Sequence, residues 1–325
     1  MLFSKLSGKI KLSQAAPPAI FIIIAVFAFL LPSIKDTIVL TGSAILMYVV
    51  LSVSWTLFSG PSGYVSLATA AFYGVGVYAT ALYSERFPLP VLMLIGGIAA
   101  FAIAIIVGAV TLRLRGVYFT IFTFGLVELL RNLITWTERL TTGRRGRYVI
   151  ATPVSTVYYY LLGLTVLLVV VAFIIKRTRF GKALASIGES EDAAAHIGVN
   201  TTLVKLTAFA ISSFFMGAVG AAMASRNSYI DPGIAFDTLK SFLPVLMVIF
   251  GGMRTLAGPL VGAAVFAYLQ ELLITDSLLS AYYRISIGAI MIIAILFLPE
   301  GLLGLGESIY KKLTRKKGGA AGANA

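Results

Sequence analysis

Residues Lys176 to Lys205 read KRTRFGKALASIGESEDAAAHIGVNTTLVK, the longest polar interval in a chain that is otherwise almost all soluble in hydrocarbon. Lys176, Arg177, Arg179 and Lys182 come directly after an apolar run, and a basic cluster at a helix end marks the cytoplasmic side of a membrane. Glu189, Glu191 and Asp192 then lead into Ala193, Ala194 and Ala195, and the run stops at Gly198. Acids near the start suit the helix dipole, and Gly198 with Asn200 behind it suits a C-terminal cap, so one short amphipathic helix is expected here. Composition leaves a second reading open, a solvated loop between two spans.

Across 325 residues, hydrophobic side chains make up 59% and charged ones 12%, and the mean hydropathy is +0.96. That balance belongs to a polytopic membrane protein and excludes a pair of soluble domains. The net charge of +13 falls mostly in short gaps between apolar runs and in the two tails. Membrane orientation and anionic lipid account for that pattern, and no nucleic-acid partner is expected. Without cysteine there are neither disulfides nor thiolate metal sites, and with His196 as the single histidine no histidine-based metal site is expected either. No cofactor is expected. Gly8–Lys9 and Gly181–Lys182 run on into Ile10 and Ala183, so the chain carries no P-loop for ATP.

A first apolar run ends near Leu31 behind Lys5, Lys9 and Lys11 and has no A-x-A-like cleavage site after it, so it reads as a span with its N-terminus inside. Further runs lie near 37–58, 64–83, 89–112, 116–136, 153–175, 203–225, 238–253, 255–274 and 283–298. At ~20 residues per crossing these give about ten spans, with 238–253 short enough to be tilted or re-entrant. The expected fold is all-α: one polytopic transmembrane helical bundle over 1–325, both termini cytoplasmic, a cytosolic segment at 176–205 and a disordered tail at 312–325. Arg113, Arg115 and the basic tail agree with this topology. Arg139, Arg144, Arg145 and Arg147 do not, since the count places them outside, either as a tolerated exception or as residues with a task.

Three stretches stand out for chemistry. Gly60 to Tyr78, GPSGYVSLATAAFYGVGVY, is too rich in Gly and Pro for an uninterrupted helix. A break at membrane depth is tolerated only where the backbone is protected or lines a wet cavity. Free N–H groups near Ser66 and Ala68 would then suit a carboxylate; a tightly packed small-residue interface is the alternative. In Leu112 to Arg131, LRLRGVYFTIFTFGLVELLR, Glu128 is the clearest intramembrane acid, and Arg131, three residues on, is its expected ion-pair partner. Gly251 to Gly262, GGMRTLAGPLVG, sets four glycines where two spans meet at a sharp turn.

In the order E-x-x-x-A-A-x-x-x-G, Glu189, Ala193, Ala194 and Gly198 resemble the coupling helix of ABC importer permeases, above all the branched-chain amino-acid (LIV-type, LivM-like) permeases. The first of the three stretches, Gly60 to Tyr78, is similar to that family's G-Q-x-S-L-G-H-A-A-F-x-G-x-G-A-Y at Gly63, Ser66, Leu67, Ala70, Ala71, Phe72, Gly74, Gly76 and Tyr78, and departs from it at Tyr64, Ala68 and Thr69. The third resembles the family's G-G-x-x-T-x-x-G-P-x-x-G-A almost throughout.

The resemblance implies a type II-like ABC importer permease of a bacterial inner membrane, not an enzyme. Its implied partners are a second homologous permease subunit (LivH-like), two ATP-binding subunits, a periplasmic substrate-binding protein and membrane lipid. Glu189, Ala193, Ala194 and Gly198 would meet the ATPase. Gly63, Ser66, Leu67, Thr69, Phe72 and Gly74 would line the substrate pathway, and the Glu128–Arg131 pair would belong to the scaffold. The implied solute is a branched-chain or other hydrophobic amino acid. Urea, amides and aromatic acids stay open within the family, and an ion-coupled secondary transporter is the competing class.

Overall fold

The computed structural model describes residues 36–253, 255 and 257–275, with positions 285, 287–289, 292, 301, 302 and 304 beyond them. The first expected span, most of the last one at 283–298 and the tail at 312–325 lie outside the described residues.

Helix α1 (Asp36–Ser62) ends where Gly63 takes φ +72, a left-handed turn that glycine makes without a Cβ penalty. The chain stays non-helical to Ala68, and α2 (Thr69–Tyr83) resumes for only 15 residues. Helix α3 (Leu89–Thr111) starts behind Pro88 with a proline in its first turn, where the missing N–H costs nothing. Then come α4 (Val117–Thr142), strand β1 (Arg147–Tyr148) and α5 (Val154–Arg177). The polar interval holds α6 (Arg179–Glu189) and α7 (Glu191–His196), and α8 (Thr201–Ala224) follows. Strand β2 (Tyr229–Ile230), the single turn α9 (Pro232–Ala235), α10 (Leu239–Gly251) and α11 (Ala257–Thr275) complete the order.

The fold is all-α and polytopic. Among the described residues seven stretches are long and apolar enough to cross a membrane: Val39–Ser62, Leu89–Thr111, Val117–Thr141, Val154–Arg177, Thr201–Ala224, Pro232–Gly251 and Ala257–Ile274. The expected 64–83 span is not among them, because the break consumes its first turns and leaves a helix shorter than the ~20 residues a crossing needs.

Helix α8 is the centre of the bundle, with α2 and α3 against it. Here backbones touch. A Cβ on Gly76 of α2 would overlap the Gly217 carbonyl of α8, one on Gly217 would overlap the Gly96 carbonyl of α3, and one on Gly220 would overlap the Tyr73 carbonyl. Lipid is as apolar as leucine, so association in a membrane rests on such van der Waals contact more than on the hydrophobic effect. Beside this crossing the rings of Phe58, Phe72, Phe119 and Phe209 pack with centroids 5.1–6.1 Å apart. Gly251 and Gly258 make the same kind of backbone contact where α10 turns into α11.

The passes alternate between two ends. Pro61 and Arg115 meet the α6–α7 segment at one end, where the Leu112 carbonyl also accepts from Lys205 near the start of α8. At the other, β1 and β2 pair antiparallel, Arg147 opposite Ile230 and Tyr148 opposite Tyr229. The arginine-rich loop therefore lies at the opposite end from residues 176–205. Buried Glu138 fixes its shape, accepting from the Tyr78 hydroxyl (3.2 Å) and the Gly146 N–H (2.9 Å), with Arg147 at 3.8 Å. Arg139, Arg144 and Arg145 are exposed.

Candidate functional site

The site is built on the break between α1 and α2. Hydrocarbon offers no partner to a bare peptide group, so a break must satisfy itself from nearby side chains. Ser62 Oγ accepts from the Tyr64 N–H (3.3 Å), Ser59 Oγ from Ser66 (3.4 Å), Thr123 Oγ1 from Leu67 (3.0 Å) and Ser66 Oγ from Ala68 (3.3 Å). The Trp55 indole N–H and the Thr120 hydroxyl donate to the carbonyls of Ser66 (2.7 Å) and Val65 (2.9 Å). The N–H groups expected to be free near Ser66 and Ala68 are thus taken by hydroxyls. Of the residues expected to line a pathway, Ser66, Thr69, Phe72 and Gly74 are buried, Leu67 is half-buried and Gly63 is exposed. Gly74 lies against the Phe236 ring, so in this state α2 is a packed element.

The polar interval differs from the single helix expected. Ser190 is extended (φ −162, ψ 112) and divides it in two, and its hydroxyl caps α7 by accepting from the Ala193 N–H (3.3 Å). The cap wins because Glu191 and Asp192 behind it place two acids in a new first turn. At the far end Gly198 takes φ +88, and the N–H groups of Gly198 and Val199 donate to Ala195 (3.0 Å) and Ala194 (3.1 Å), a Schellman closure. Glu189, Ala193 and Gly198 are exposed, but Ala194 is buried and packs within the chain itself. A six-residue helix lying on a bundle must turn one side inward, and Ala194 is on that side.

What seats α7 is a charged network that sequence reasoning missed. Lys205, buried in the first turns of α8, donates to Glu191 (2.5 Å), to the Tyr64 hydroxyl (3.1 Å) and to the Leu112 carbonyl (3.1 Å). Tyr64, in the break, donates to the other Glu191 oxygen (2.5 Å). Arg115, between α3 and α4, lies 3.9 Å from Glu191 and grips both Asp192 oxygens at 2.9 and 3.4 Å. Burial alone would raise the Glu191 pKa, but hydrogen bonds from Lys205 and Tyr64 and the nearby cations hold it below its ordinary value. The hydrogen bond from Arg115 likewise holds Asp192 low. Helix α6 reaches the other side of the break, where a Cβ on Gly188 would overlap the Pro61 carbonyl. Both halves of the segment therefore touch the break, one on each flank. A push on α6 and α7 is delivered to Pro61 and Tyr64 without an intermediary.

The sequence profile described as "Branched-chain amino acid transport system / permease component" matches residues 38–295, a range that takes in the break, the two-helix segment and the glycine corner. The chain belongs to this permease family. The permease is 27% identical over 315 residues to the high-affinity branched-chain amino acid transport system permease protein LivM of Salmonella typhimurium, covering 86% of this chain and 72% of that one. It is 24% identical over 236 residues to the ribose import permease protein RbsC of Haemophilus influenzae, covering 68% and 72%. With the L-arabinose ABC transporter permease protein AraH of Azospirillum brasilense it shares 28% identity over 133 residues, 40% of this chain and 39% of that one. No solved structure matches.

Glu128 and Arg131 of the permease do meet, at 2.6 Å on α4, with side chains 37% and 40% exposed, between the buried and the exposed faces of the helix.

Proposed function

We propose that the chain is the membrane-spanning permease subunit of an ATP-driven importer for branched-chain or other hydrophobic amino acids. It forms half of the translocation pathway with a second homologous permease and is driven by ATP-binding subunits docked on α6 and α7. The observation that carries this reading is the way the two-helix segment is held. One side is clamped to the broken helix by Lys205, Tyr64 and Arg115, while the other leaves Ala193, Gly198 and Ile197 in solvent. Ile197 is 75% exposed, a large apolar side chain with no neighbour to cover it at the tip of a polar segment. The solute class follows the family description and the LivM relatives. The full count is about ten spans in an inner membrane with both termini cytoplasmic: the seven long spans, the break and short α2 at 64–83 taken together as one crossing, and the two expected outside the described residues. A periplasmic binding protein is the partner expected at the arginine-rich end.

Two measurements test this. Replacing Ile197 by Asp removes an apolar anchor worth roughly 2 kcal/mol and leaves the bundle untouched. Copurification with the ATP-binding subunits, and amino-acid uptake in proteoliposomes, should be lost while the variant's thermal midpoint is unchanged. Retained copurification would show that α7 is not the docking element. Separately, Arg145→Cys in the cysteine-free chain should react with a membrane-impermeant maleimide from the periplasmic side. Gly146 is unsuitable, because its φ of +79 and the nearby Tyr229 ring leave no place for a side chain. Reaction from the cytoplasmic side alone would reverse the orientation.

A further inference from the structure

Helix α4 is the least buried of the seven spans, with 28% of its apolar stretch inside the bundle against 72% for α8. On its flank Glu128, Arg131, Asn132 and Thr135 fall at i, i+3, i+4 and i+7 and so form one stripe, with Asn132 exposed and the other three half-buried. The charged pair lies near the middle of the helix, where an ion facing lipid is costly. Charges elsewhere in the spans are well supplied: Glu138 has Tyr78, Gly146 and Arg147, and Lys205 has Glu191, Tyr64 and Leu112. Among the described residues the side chains of Glu128 and Arg131 have only each other, which leaves most lone pairs of one and most donors of the other unused. A half-exposed intramembrane pair with spare hydrogen-bonding capacity belongs beside water or a polar ligand, not beside acyl chains.

We infer that this stripe is a wall of the solute pathway and that Glu128 and Arg131 form a docking point for the zwitterionic head of an α-amino acid. Glu128 takes the ammonium group and Arg131 the carboxylate, while Leu129 and Trp136, both exposed alongside, border the apolar side chain. The inference rests on the reading of the chain as an amino-acid importer. Its physical basis is charge balance. The pair is neutral, so a neutral zwitterion gives each ion a second partner and leaves no net charge in the pathway. An analogue with one of its two charges removed satisfies one residue and leaves an uncompensated charge beside the other.

The test uses the whole transporter in proteoliposomes, with its binding protein, and Asn132→Cys in the cysteine-free chain. A charged, membrane-impermeant thiol reagent should reach Cys at 132 during turnover. Leucine should slow the reaction about tenfold more strongly than equal concentrations of 4-methylpentanoate or 3-methylbutylamine, each of which lacks one charged hydrogen-bonding group. Adding Glu128→Gln with Arg131→Gln, which keeps the helix neutral, should reduce leucine protection to the level of the analogues. No labelling while the cysteine-free transporter imports leucine would place the stripe away from the pathway and overturn the inference alone. Equal protection by all three compounds would leave a pathway wall without zwitterion recognition and would also overturn it. Absence of ATP-driven leucine uptake by the cysteine-free transporter would instead sink the importer reading and the inference with it.

Discussion

Lys205→Met is expected to lower the thermal midpoint of the detergent-solubilised permease by roughly 4–5 °C, the equivalent of about 3 kcal/mol in a chain of this size. The lysine is buried and supplies the nearest cation for Glu191, the donor for the Leu112 carbonyl and a donor to Tyr64, so removing it takes a partner from three groups at once. Glu191→Gln should cost less, since Gln still accepts a hydrogen bond from Lys205. The double variant Glu191→Gln with Lys205→Met should be more stable than Lys205→Met alone, because no carboxylate is left without its cation. In the reconstituted transporter Lys205→Met should hydrolyse ATP without importing solute, because α7 is no longer tied to the break. Acid should act on the same contact. The Glu191 pKa in the folded chain lies below its ordinary value of 4.5, so its contribution is fully present above that pH and disappears as the pH falls through the lower folded value. A wild-type midpoint that declines with acid in this window no more than that of Glu191→Gln would show that the contact contributes nothing.

Gly76→Ala is expected to destabilise by about 3 kcal/mol, although alanine is the better helix former. The added methyl would overlap the Gly217 carbonyl, which is backbone and has no rotamer to escape into. Gly163→Ala in α5 is the matched control, for a Cβ there meets nothing within 4 Å and should stabilise by roughly 0.5–1 kcal/mol. Opposite signs for the same chemical change, read from thermal denaturation of the two variants, would establish that α2, α3 and α8 touch through their backbones. If both variants stabilise, the helices stand further apart than described.

These two predictions differ in how far the sequence leads to them. Apolar length placed the spans, because hydrocarbon thickness acts on each run separately. Gly76 announced a close approach, although its partner in α8 did not show. The Glu128–Arg131 pair was readable because i, i+3 is a local relation. Lys205 was not. It stood as the last residue of a polar interval, and its partners Tyr64 and Leu112 lie 141 and 93 residues away in the chain. Helix α6 and helix α7 looked like one element, because Glu189, Glu191 and Asp192 read equally well as a single acidic first turn, and only the extended Ser190 separates them. Ala194 shows a further limit. A small side chain suits a partner's groove and a close fit to the protein's own surface alike, and composition does not say which.

The hydroxyls at the break have a consequence for the rate at which the permease can change shape. Ser59, Ser62, Ser66, Thr120 and Thr123 hold the peptide groups of residues 64–68 through side chains that each rotate about one bond. A hydroxyl oxygen can release one N–H and accept from another by torsion alone, and the released amide is then open to exchange. Thr123 already does two tasks, accepting from Leu67 and donating to the Thr120 carbonyl. Segments tied in this way slide with little friction. The amides of Ser66 to Ala68 should therefore exchange with deuterium slowly at rest, and markedly faster while the transporter turns over ATP.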